Sequence, residues 1–232
     1  MLQFIATPVG NLADLTPRAL EALRGAELIA CEDTRRTWGL LSHFNIPRPR
    51  LISYRQGNED RAGNLVIEAV RAGRRVAVCS DGGYPGISDP GYRILRSATQ
   101  AGIAVSVIPG AGAVSTALLL SGLSTSSYTF KGFPPRKRGA LLRFFEDERD
   151  RPHTLVCFES PHRIGTCLAA ALEALGDREA AVCIEMTKRH ERVSRGYLSA
   201  LAEQFASTPV KGEVTLVIAG DNPKFRRDHD VS

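Results

Sequence analysis

The sequence predicts an α/β fold built from two domains with mostly parallel sheets. Short runs of apolar and β-branched residues alternate with helix-like segments through nearly the whole chain. Such alternation implies crossover connections, which place helices on the faces of parallel sheets. The pattern changes at the Pro-Gly-Ala-Gly segment 109–112. We therefore place one domain at residues 1–110, a second at 111–220 and a disordered tail at 221–232.

Nine strands are expected, five before this break and four after it. The first five are Leu2–Ala6, Leu28–Cys31, Leu51–Tyr54, Val76–Cys79 and Val105–Ile108. The other four are Tyr128–Phe130, Leu155–Phe158, Ala181–Ile184 and Val214–Ala219.

The first three helices have recognisable start or stop signals. Thr16 suits the N-cap, and Pro17 suits the first helical position, where its missing N–H costs nothing. Gly25 is expected to close this helix. A second helix starts at Thr34 as its cap, and a third spans roughly residues 58–72.

The composition argues against a membrane span and against a disulfide framework. Charged residues make up 24% of the chain, and no stretch approaches the roughly 18 apolar residues that a spanning helix needs. The cysteine count of five is odd and includes no Cys-x-x-Cys pair, so we expect buried, reduced thiols. The N-terminus enters an apolar run without a basic stretch, which argues against a secretory signal. We expect a cytoplasmic protein without a metal site.

The formal net charge of +5 suits a polyanionic partner. Four cations lie within residues 131–138, namely Lys131, Arg136, Lys137 and Arg138. We interpret them as a patch that binds the polyanion. A second cluster, at 224–227, is interpreted as part of a solvated chain end.

The densest run of glycine and proline follows the fourth predicted strand, between Cys79-Ser80-Asp81 and Gly91. Each glycine adds conformational entropy to the unfolded chain, so a purely structural loop rarely needs this many. Ligands of parallel sheets bind at the carboxyl ends of the strands, and we therefore expect this loop to approach a ligand. The loop after the first strand, Thr7–Asn11, has no Gly-x-Gly-x-x-Gly and is ambiguous alone.

Charged clusters follow three other strands. Glu32–Arg36 either forms part of a site or only caps a helix, with Asp33 favouring the helix dipole, and spacing does not separate the two. In the second half, Glu159–Arg163 follows a strand, with Pro161 expected to open a helix, and Glu185–Glu191 repeats the arrangement after the next strand.

Taken together, these segments resemble the ribosomal RNA small-subunit methyltransferase I family, a branch of the tetrapyrrole methylase superfamily. The matching stretches occur in family order from residue 5 to about 220. They are Thr7–Asn11 with Asp14-Leu15-Thr16, Glu32-Asp33-Thr34-Arg35, Ser80–Gly91, Ser121-Gly122-Leu123, Gly132-Phe133 with Pro135-Arg136-Lys137, Glu159–Arg163, Thr187-Lys188 with Glu191, and Lys211-Gly212-Glu213.

The resemblance implies two α/β domains with S-adenosylmethionine bound in a cleft between them, in a homodimer. It implies 2′-O-methylation of a cytidine in 16S ribosomal RNA, with the RNA or the small ribosomal subunit as partner. The implied cofactor contacts are Pro8, Gly10, Cys79, Ser80, Asp81, Ile87, Gly112, Ala113, Phe158, Glu159, Met186 and Thr187. The expected RNA contacts are Arg35, Lys131, Arg136, Lys137, Arg138 and Arg163.

For the acceptor hydroxyl we expect Glu159 or His162 to take the proton, with Lys188 or Arg163 holding the adjacent phosphate. Glu32 is a third candidate for the base. Two positions depart from the family pattern, since Tyr84 stands where Thr is usual and Gly112 where Ser is usual. The alternatives are a tetrapyrrole C-methyltransferase and a non-catalytic protein that binds the donor or RNA.

Overall fold

The computed structural model describes residues 1–222 and divides the chain into two α/β units, Met1–Gly112 and a second that begins at Ala113. The sequence-based boundary lies two residues earlier, at 110. The tail expected at 221–232 falls, from residue 223 onward, outside the described residues.

The first unit is a five-stranded, fully parallel sheet in the order β3-β2-β4-β1-β5. Its strands are β1 (Leu2–Ile5), β2 (Leu28–Cys31), β3 (Arg50–Ser53), β4 (Val76–Cys79) and β5 (Val105–Ile108). Its helices are α1 (Pro17–Gly25), α2 (Thr34–His43), α3 (Glu59–Arg71) and α4 (Tyr92–Gln100), with a short 3₁₀ helix at Leu12–Asp14. The five strands expected from the sequence are confirmed to within one residue at each end.

Two separate apolar clusters cover the two faces of this sheet. Phe4 packs on one face with Val66 of α3 and Ile94 of α4. Ile5, one residue along the same strand, packs on the other face with Leu23 of α1. Because neighbouring residues of a strand point to opposite faces, strands covered on both sides read as continuous apolar runs. This burial explains why the sequence located them.

In the first unit, the helix starts agree with the sequence except for one cap. The Thr16 hydroxyl oxygen accepts from the Ala19 amide at 3.2 Å, and Pro17 is the first residue of α1. For α2 the cap is Asp33 rather than Thr34, because the Asp33 carboxylate accepts from the Arg35 amide at 2.8 Å. Thr34 has helical geometry as the first residue of α2, so the residue before it supplies the oxygen that satisfies a free N–H group of the first turn.

The second unit contains a five-stranded mixed sheet in the order β6-β7-β10-β8-β9. Its strands are β6 (Tyr128–Phe130), β7 (Thr154–Glu159), β8 (Glu179–Ile184), β9 (Arg192–Tyr197) and β10 (Val214–Ile218). Its helices are α5 (Ala113–Ser121), α6 (Arg138–Glu146), α7 (Ile164–Leu175) and α8 (Leu198–Ser207).

The expectation of mostly parallel pairing is wrong for this second sheet. Only β6 and β7 run parallel, whereas β10 is antiparallel to both β7 and β8, and β9 is antiparallel to β8. The turn 185–191 that joins β8 to β9 is too short for the helical crossover that a parallel pair requires. Strand β9 was missed because its sequence, Arg-Val-Ser-Arg-Gly-Tyr, has no apolar run and lies at the sheet edge.

Helix α7 begins at Ile164, so the start expected at Pro161 is also wrong. The Ser160 carbonyl accepts from the Arg163 amide at 2.9 Å, and the Ser160 hydroxyl from the His162 amide at 3.3 Å. These bonds close a separate turn before the helix. His162 and Arg163 therefore lie on this turn.

Helices α6, α7 and α8 pack around the largest apolar cluster of the second unit, and α5 packs in a smaller cluster with Val156, Cys183 and Val217. All five cysteines are free and buried, as expected. Over residues 1–222, no helix is both long and apolar enough to cross a bilayer.

Candidate functional site

In the first unit, the loops that follow β1 and β4 are bonded to each other at the carboxyl edge of the sheet. Thr7 and Gly83 exchange two backbone hydrogen bonds of 2.9 Å. The Thr7 hydroxyl also donates to the Ser80 carbonyl at 3.1 Å. This double attachment fixes the glycine-rich loop against the loop that contains Pro8.

A cavity of about 290 Å³ opens beside this junction. Four of the expected cofactor residues, Pro8, Cys79, Ser80 and Asp81, line it together. The buried Ser80 hydroxyl donates to the Gly83 carbonyl at 3.2 Å, and burial raises the pKa of the Cys79 thiol. Ser80 is thus held by the loop, and the Cys79 thiol stays neutral and unreactive.

Two glycines of this loop are required by close contacts with other backbone atoms of the protein. A Cβ on Gly91 would lie 2.7 Å from the Gly86 nitrogen, and one on Gly82 would lie 3.3 Å from the Pro8 carbonyl oxygen. Gly91 also has a φ of 149°, which disfavours any side chain. Close approach to a ligand is therefore unnecessary to explain these two positions.

Tyr84 faces the loop that follows β5 and is not among the residues lining the cavity with Pro8. Its hydroxyl oxygen lies 3.2 Å from the Gly110 nitrogen and 3.4 Å from the Gly110 carbonyl oxygen. The Tyr84 hydroxyl therefore accepts from the Gly110 amide and donates to the Gly110 carbonyl. The bulky ring thus ties the loops after β4 and β5 together across β1.

The other expected cofactor positions in or next to the first unit lie away from this cavity. Gly10 and Ile87 are exposed on their loops. Gly112 is the last residue of the first unit, and Ala113 is the first residue of α5. The structure does not bring these four together with Pro8 and Ser80 around this cavity.

A second cavity, of about 490 Å³, lies at the carboxyl ends of β2 and β3 and is lined by Glu32, Arg35, Arg36 and Arg55, among others. Burial raises the pKa of the Glu32 carboxyl, and the nearby Asp81 charge raises it further, against the opposing effect of Arg36. A carboxyl with a raised pKa in a cavity lined by cations is suited to accept a proton beside a bound anion.

The carboxylates of Asp33 and Asp81, beside Glu32, both form ion pairs with arginines. Arg35 donates to both oxygens of Asp33, at 3.1 and 2.7 Å, which lowers the pKa of Asp33. Asp81 accepts from the Asp33 amide at 3.1 Å and pairs with Arg36 at 3.5 Å. Asp33 thus caps α2, and Glu32 lines the cavity.

In the second unit, Glu159 lies in the interior. Its side chain is 1% exposed; Oε1 accepts from the Ser160 amide at 2.7 Å and pairs with Arg163 at 3.3 Å. Oε2 is buried without a hydrogen-bond partner among the described residues. The Arg163 guanidinium also donates to the carbonyls of Pro134 and Pro135, at 3.4 and 2.8 Å. Glu159 thus holds Arg163, which in turn holds the loop after β6.

His162 lies exposed on the turn that precedes α7. Its backbone amide donates to the Ser160 hydroxyl at 3.3 Å. The imidazole faces solvent and forms no hydrogen bond or ion pair with residues 1–222.

Lys188 lies in the turn between β8 and β9 and is bound on two sides. Its ammonium donates to Glu185 at 2.8 Å and lies 3.1 Å from Glu213. Partial burial alone would lower the pKa of Lys188, but the hydrogen bonds to these two carboxylates outweigh it and the pKa is raised. Lys188 therefore stays charged and is paired with both carboxylates.

The same turn holds two non-glycine residues in left-handed conformations. Glu185 has a φ of 53° and Thr187 a φ of 64°, on either side of the buried Met186. The Thr187 amide donates to Glu191 at 2.6 Å, and the Glu213 amide donates to Glu185 at 2.9 Å. Strained backbone of this kind persists only where its surroundings over-determine it, and it concentrates at functional sites.

The sequence reasoning assigned no role to Glu185, Gly212 or Glu213, which hold this turn. A Cβ on Gly212 would overlap the Glu185 carboxylate, and its φ is 93°. Glycine is therefore required for the carboxylate to lie there. The Lys-Gly-Glu segment 211–213 could have pointed to this turn, but Glu185, which it contacts, lies far away in the sequence.

Of the cations expected to contact RNA, some form ion pairs within the protein and others form none with residues 1–222. Lys131 is 22% exposed, donates to the Phe144 carbonyl at 2.8 Å and pairs with Glu148 at 3.0 Å. It joins the end of β6 to α6. Arg138 pairs with Glu173 at 2.7 Å on the surface. Within residues 1–222, Arg136 and Lys137 are exposed and take part in no ion pair.

Comparison with known proteins gives one consistent family. Residues 1–202 match the family described as Tetrapyrrole (Corrin/Porphyrin) Methylases. A relative from Halalkalibacterium halodurans named ribosomal RNA small subunit methyltransferase I is 43% identical over 96% of this chain and 77% of its own length. A relative of the same name from Thermotoga maritima is 39% identical over 94% of this chain and 98% of its own length.

Solved structures agree on the fold. A diphthine synthase superposes with a TM-score of 0.72 at 18% identity, covering 94% of this chain and 89% of that one. A uroporphyrin-III-C-methyltransferase from Thermus thermophilus superposes with a TM-score of 0.64 at 22% identity, covering 93% of each chain. At these identities the likeness concerns the fold alone.

Proposed function

The chain belongs to the ribosomal RNA small subunit methyltransferase I family of tetrapyrrole methylases, and from this premise we propose that it methylates a cytidine 2′-hydroxyl of 16S ribosomal RNA with S-adenosylmethionine as donor. The observation that carries the proposal is the 43% identity to a methyltransferase of that name over 96% of the chain. The assignment to a single family across both units favours RNA over a tetrapyrrole as acceptor.

The first-unit residues fit a donor with a charged amino acid end and an adenosine end. The cavity beside Pro8 is lined by the polar Ser80 and Asp81 together with apolar groups. Mixed lining of this kind suits a nucleoside with a polar tail. We assign donor contacts in this unit to Pro8, Cys79, Ser80 and Asp81.

In the second unit we assign donor contacts to Phe158 and to the Met186-Thr187 backbone. The left-handed residues on either side of Met186 present its peptide groups in a conformation that Lys188, Glu191 and Glu213 hold in place. When bound, the donor supplies an electrophilic methyl group on a sulfonium. The chain's residues have to position the acceptor and manage its proton.

Glu32 is our choice for the base that receives the 2′-hydroxyl proton. It faces a cavity, and its raised pKa makes its carboxylate a stronger base than an exposed glutamate. Glu159 is buried and bound to Arg163, so we assign it a positioning role. The exposed His162 is the alternative base.

We assign phosphate contacts to Arg35, Arg36, Arg136 and Lys137. Arg35 and Arg36 are exposed beside the Glu32 cavity, although each is paired with a carboxylate. Arg136 and Lys137 are exposed close after β6 in the chain and form no ion pair with residues 1–222. Contacts of this kind weaken as salt concentration rises.

We further propose a cytoplasmic homodimer. Leu119 on α5 is 76% exposed although the helix is apolar nearly all round, which suits burial against a second copy. Light scattering coupled to size-exclusion chromatography would give the mass of two chains. The mass of one chain would refute the dimer.

The test of function is methyl transfer to small ribosomal subunits from a bacterial strain that lacks this enzyme, with methyl-labelled donor. We expect label in 16S ribosomal RNA as 2′-O-methylcytidine, and none in large subunits or in a porphyrin precursor used as controls. Label in the precursor alone would support the tetrapyrrole alternative. Donor binding without any incorporation would support the non-catalytic one.

A further inference from the structure

Phe133 is an aromatic side chain held in solvent on the loop after β6. It is 60% exposed, whereas large aromatic side chains are usually well buried. It follows Gly132, whose φ of 65° turns the chain out of the strand direction. Most of the ring is therefore accessible to a binding partner.

The backbone around Phe133 is fixed at several points. The Phe158 amide donates to the Gly132 carbonyl at 2.9 Å, which extends the pairing with β7 beyond the end of β6. On the other side, the Arg163 guanidinium holds the carbonyls of Pro134 and Pro135. The loop is therefore attached both before and after Phe133.

The ring itself is supported from one side. Phe133 meets Phe158 with ring centroids 5.5 Å apart, and Phe158 in turn meets Phe130 at 4.9 Å, both at 62°. Edge-to-face contacts of this kind hold a ring in a defined orientation. The remaining surface of Phe133 stays open to solvent.

Two exposed cations follow this ring in the sequence. Arg136 and Lys137 follow it closely in the chain, are exposed, and form no ion pair with any residue from 1 to 222. A supported aromatic ring beside free cations is the arrangement by which proteins bind single-stranded nucleic acid, with a base stacked on the ring and the backbone held by the cations.

We propose that Phe133 stacks on an unpaired base of the RNA substrate, next to phosphates held by Arg136 and Lys137. This inference rests on the proposed function, which names RNA as the acceptor, and it assigns Phe133 a positioning role in substrate binding. Glu159 contributes indirectly, because it orients the arginine that holds the loop.

The binding test uses an unmodified single-stranded RNA of about 16 nucleotides, the upper range of such sites. We expect Phe133→Ala to weaken binding roughly five- to hundredfold, because base stacking on an aromatic ring is lost. Phe133→Trp should bind like the natural protein, whereas Phe133→Leu should resemble Phe133→Ala because leucine has no π-face. The slope of log affinity against log salt should stay unchanged in all three.

Two sets of control variants separate stacking from charge and from general exposure. Tyr128→Ala removes an aromatic ring that is 50% exposed at the opposite end of β6, and should leave affinity unchanged. Arg136→Ala and Lys137→Ala should each reduce the salt slope by about 1.

In the transfer assay, Phe133→Ala should raise KM for the small subunit by a larger factor than it weakens donor binding, because, within residues 1–222, its only link to the donor site is the contact with Phe158. Natural affinity for the RNA in Phe133→Ala would overturn the proposal, as would equal binding by the Leu and Trp variants. Loss of donor binding in Phe133→Ala would place the ring at the cofactor instead. The proposed function fails separately, if the unaltered protein transfers no methyl group to small subunits.

Discussion

At the scale of single residues, two glutamates at the ends of strands have opposite environments. Glu159 is enclosed and its Oε1 is bound to an arginine and an amide. Glu32 faces a cavity, and its burial and the Asp81 charge raise its pKa. The same residue type is therefore suited to holding a loop in one place and to accepting a proton in the other, because the surroundings set the basicity and the access.

Glu32→Gln is expected to lower kcat by roughly 10²–10⁴-fold, because the amide cannot accept the hydroxyl proton. Donor binding should stay unchanged. In the natural protein, activity should fall as pH drops through a pKa that lies above the ordinary value of 4.5. Single-turnover methyl transfer across pH measures both effects.

The matched control is Glu21→Gln, which removes an exposed carboxylate of α1 and should behave like the natural protein. If the Glu32→Gln variant turns over at the natural rate, Glu32 is not the base, and the role is assigned to His162 instead.

At the scale of elements, the turn between β8 and β9 depends on groups that converge from two segments. Glu185 accepts from Lys188 and from the amide of Glu213, which precedes β10. Gly212 leaves room for the Glu185 carboxylate. The turn therefore keeps its strained backbone only because β8 and β10 are neighbours in the sheet.

Lys188→Met should lower the free energy of unfolding by about 1–2 kcal/mol, because it removes charged hydrogen bonds from a partly buried site. The hydrogen bond from Lys188 lowers the pKa of Glu185 below its ordinary value of 4.5, so this contribution is complete above pH 4.5 and is lost as pH falls through the lowered pKa. Denaturant unfolding at neutral and acid pH measures the difference.

Lys137→Met removes the same charge at an exposed position that has no ion pair within residues 1–222, and it serves as the control with an effect near zero. An equal loss of stability in both variants, or a Lys188→Met effect independent of pH, would contradict the role given to this ion pair.

Helices α7 and α8 approach each other closely at Gly165. A Cβ there would lie 2.5 Å from the Phe205 carbonyl oxygen. Gly165→Ala should therefore lower the free energy of unfolding by roughly 1–3 kcal/mol, because backbone has to move. Gly139→Ala on α6 meets nothing within 4 Å and should raise stability by roughly 0.5–1 kcal/mol. Chemical denaturation of the two variants tests the contrast, and equal effects would refute it.

At the scale of the whole molecule, donor binding should stabilise the native state. A ligand that binds only the folded protein, at about 100 times its Kd, adds about 2.7 kcal/mol. S-adenosylmethionine should therefore raise the melting temperature, and adenosine should do so less because it lacks the methionine part. Thermal unfolding with calorimetric titration measures this, and the absence of heat and of any shift would contradict the cofactor assignment.

The sequence by itself determined the parallel sheet of the first unit, the capped start of α1 and the placement of Ser80, Glu32 and Glu159 at strand ends. These features follow from local signals, since buried parallel strands read as continuous apolar runs and helix caps as particular residues. The resemblance to one family likewise rested on short segments in order along the chain.

Only the tertiary structure decided which charged side chains form ion pairs within the protein and which strands of the second sheet lie next to each other. Lys131 meets Glu148, Lys188 meets Glu213, and β10 enters between β7 and β8. Each of these depends on partners that are distant in sequence and that folding brings together. A charge pattern records which groups are present, whereas pairing and desolvation decide which of them remain available to a ligand.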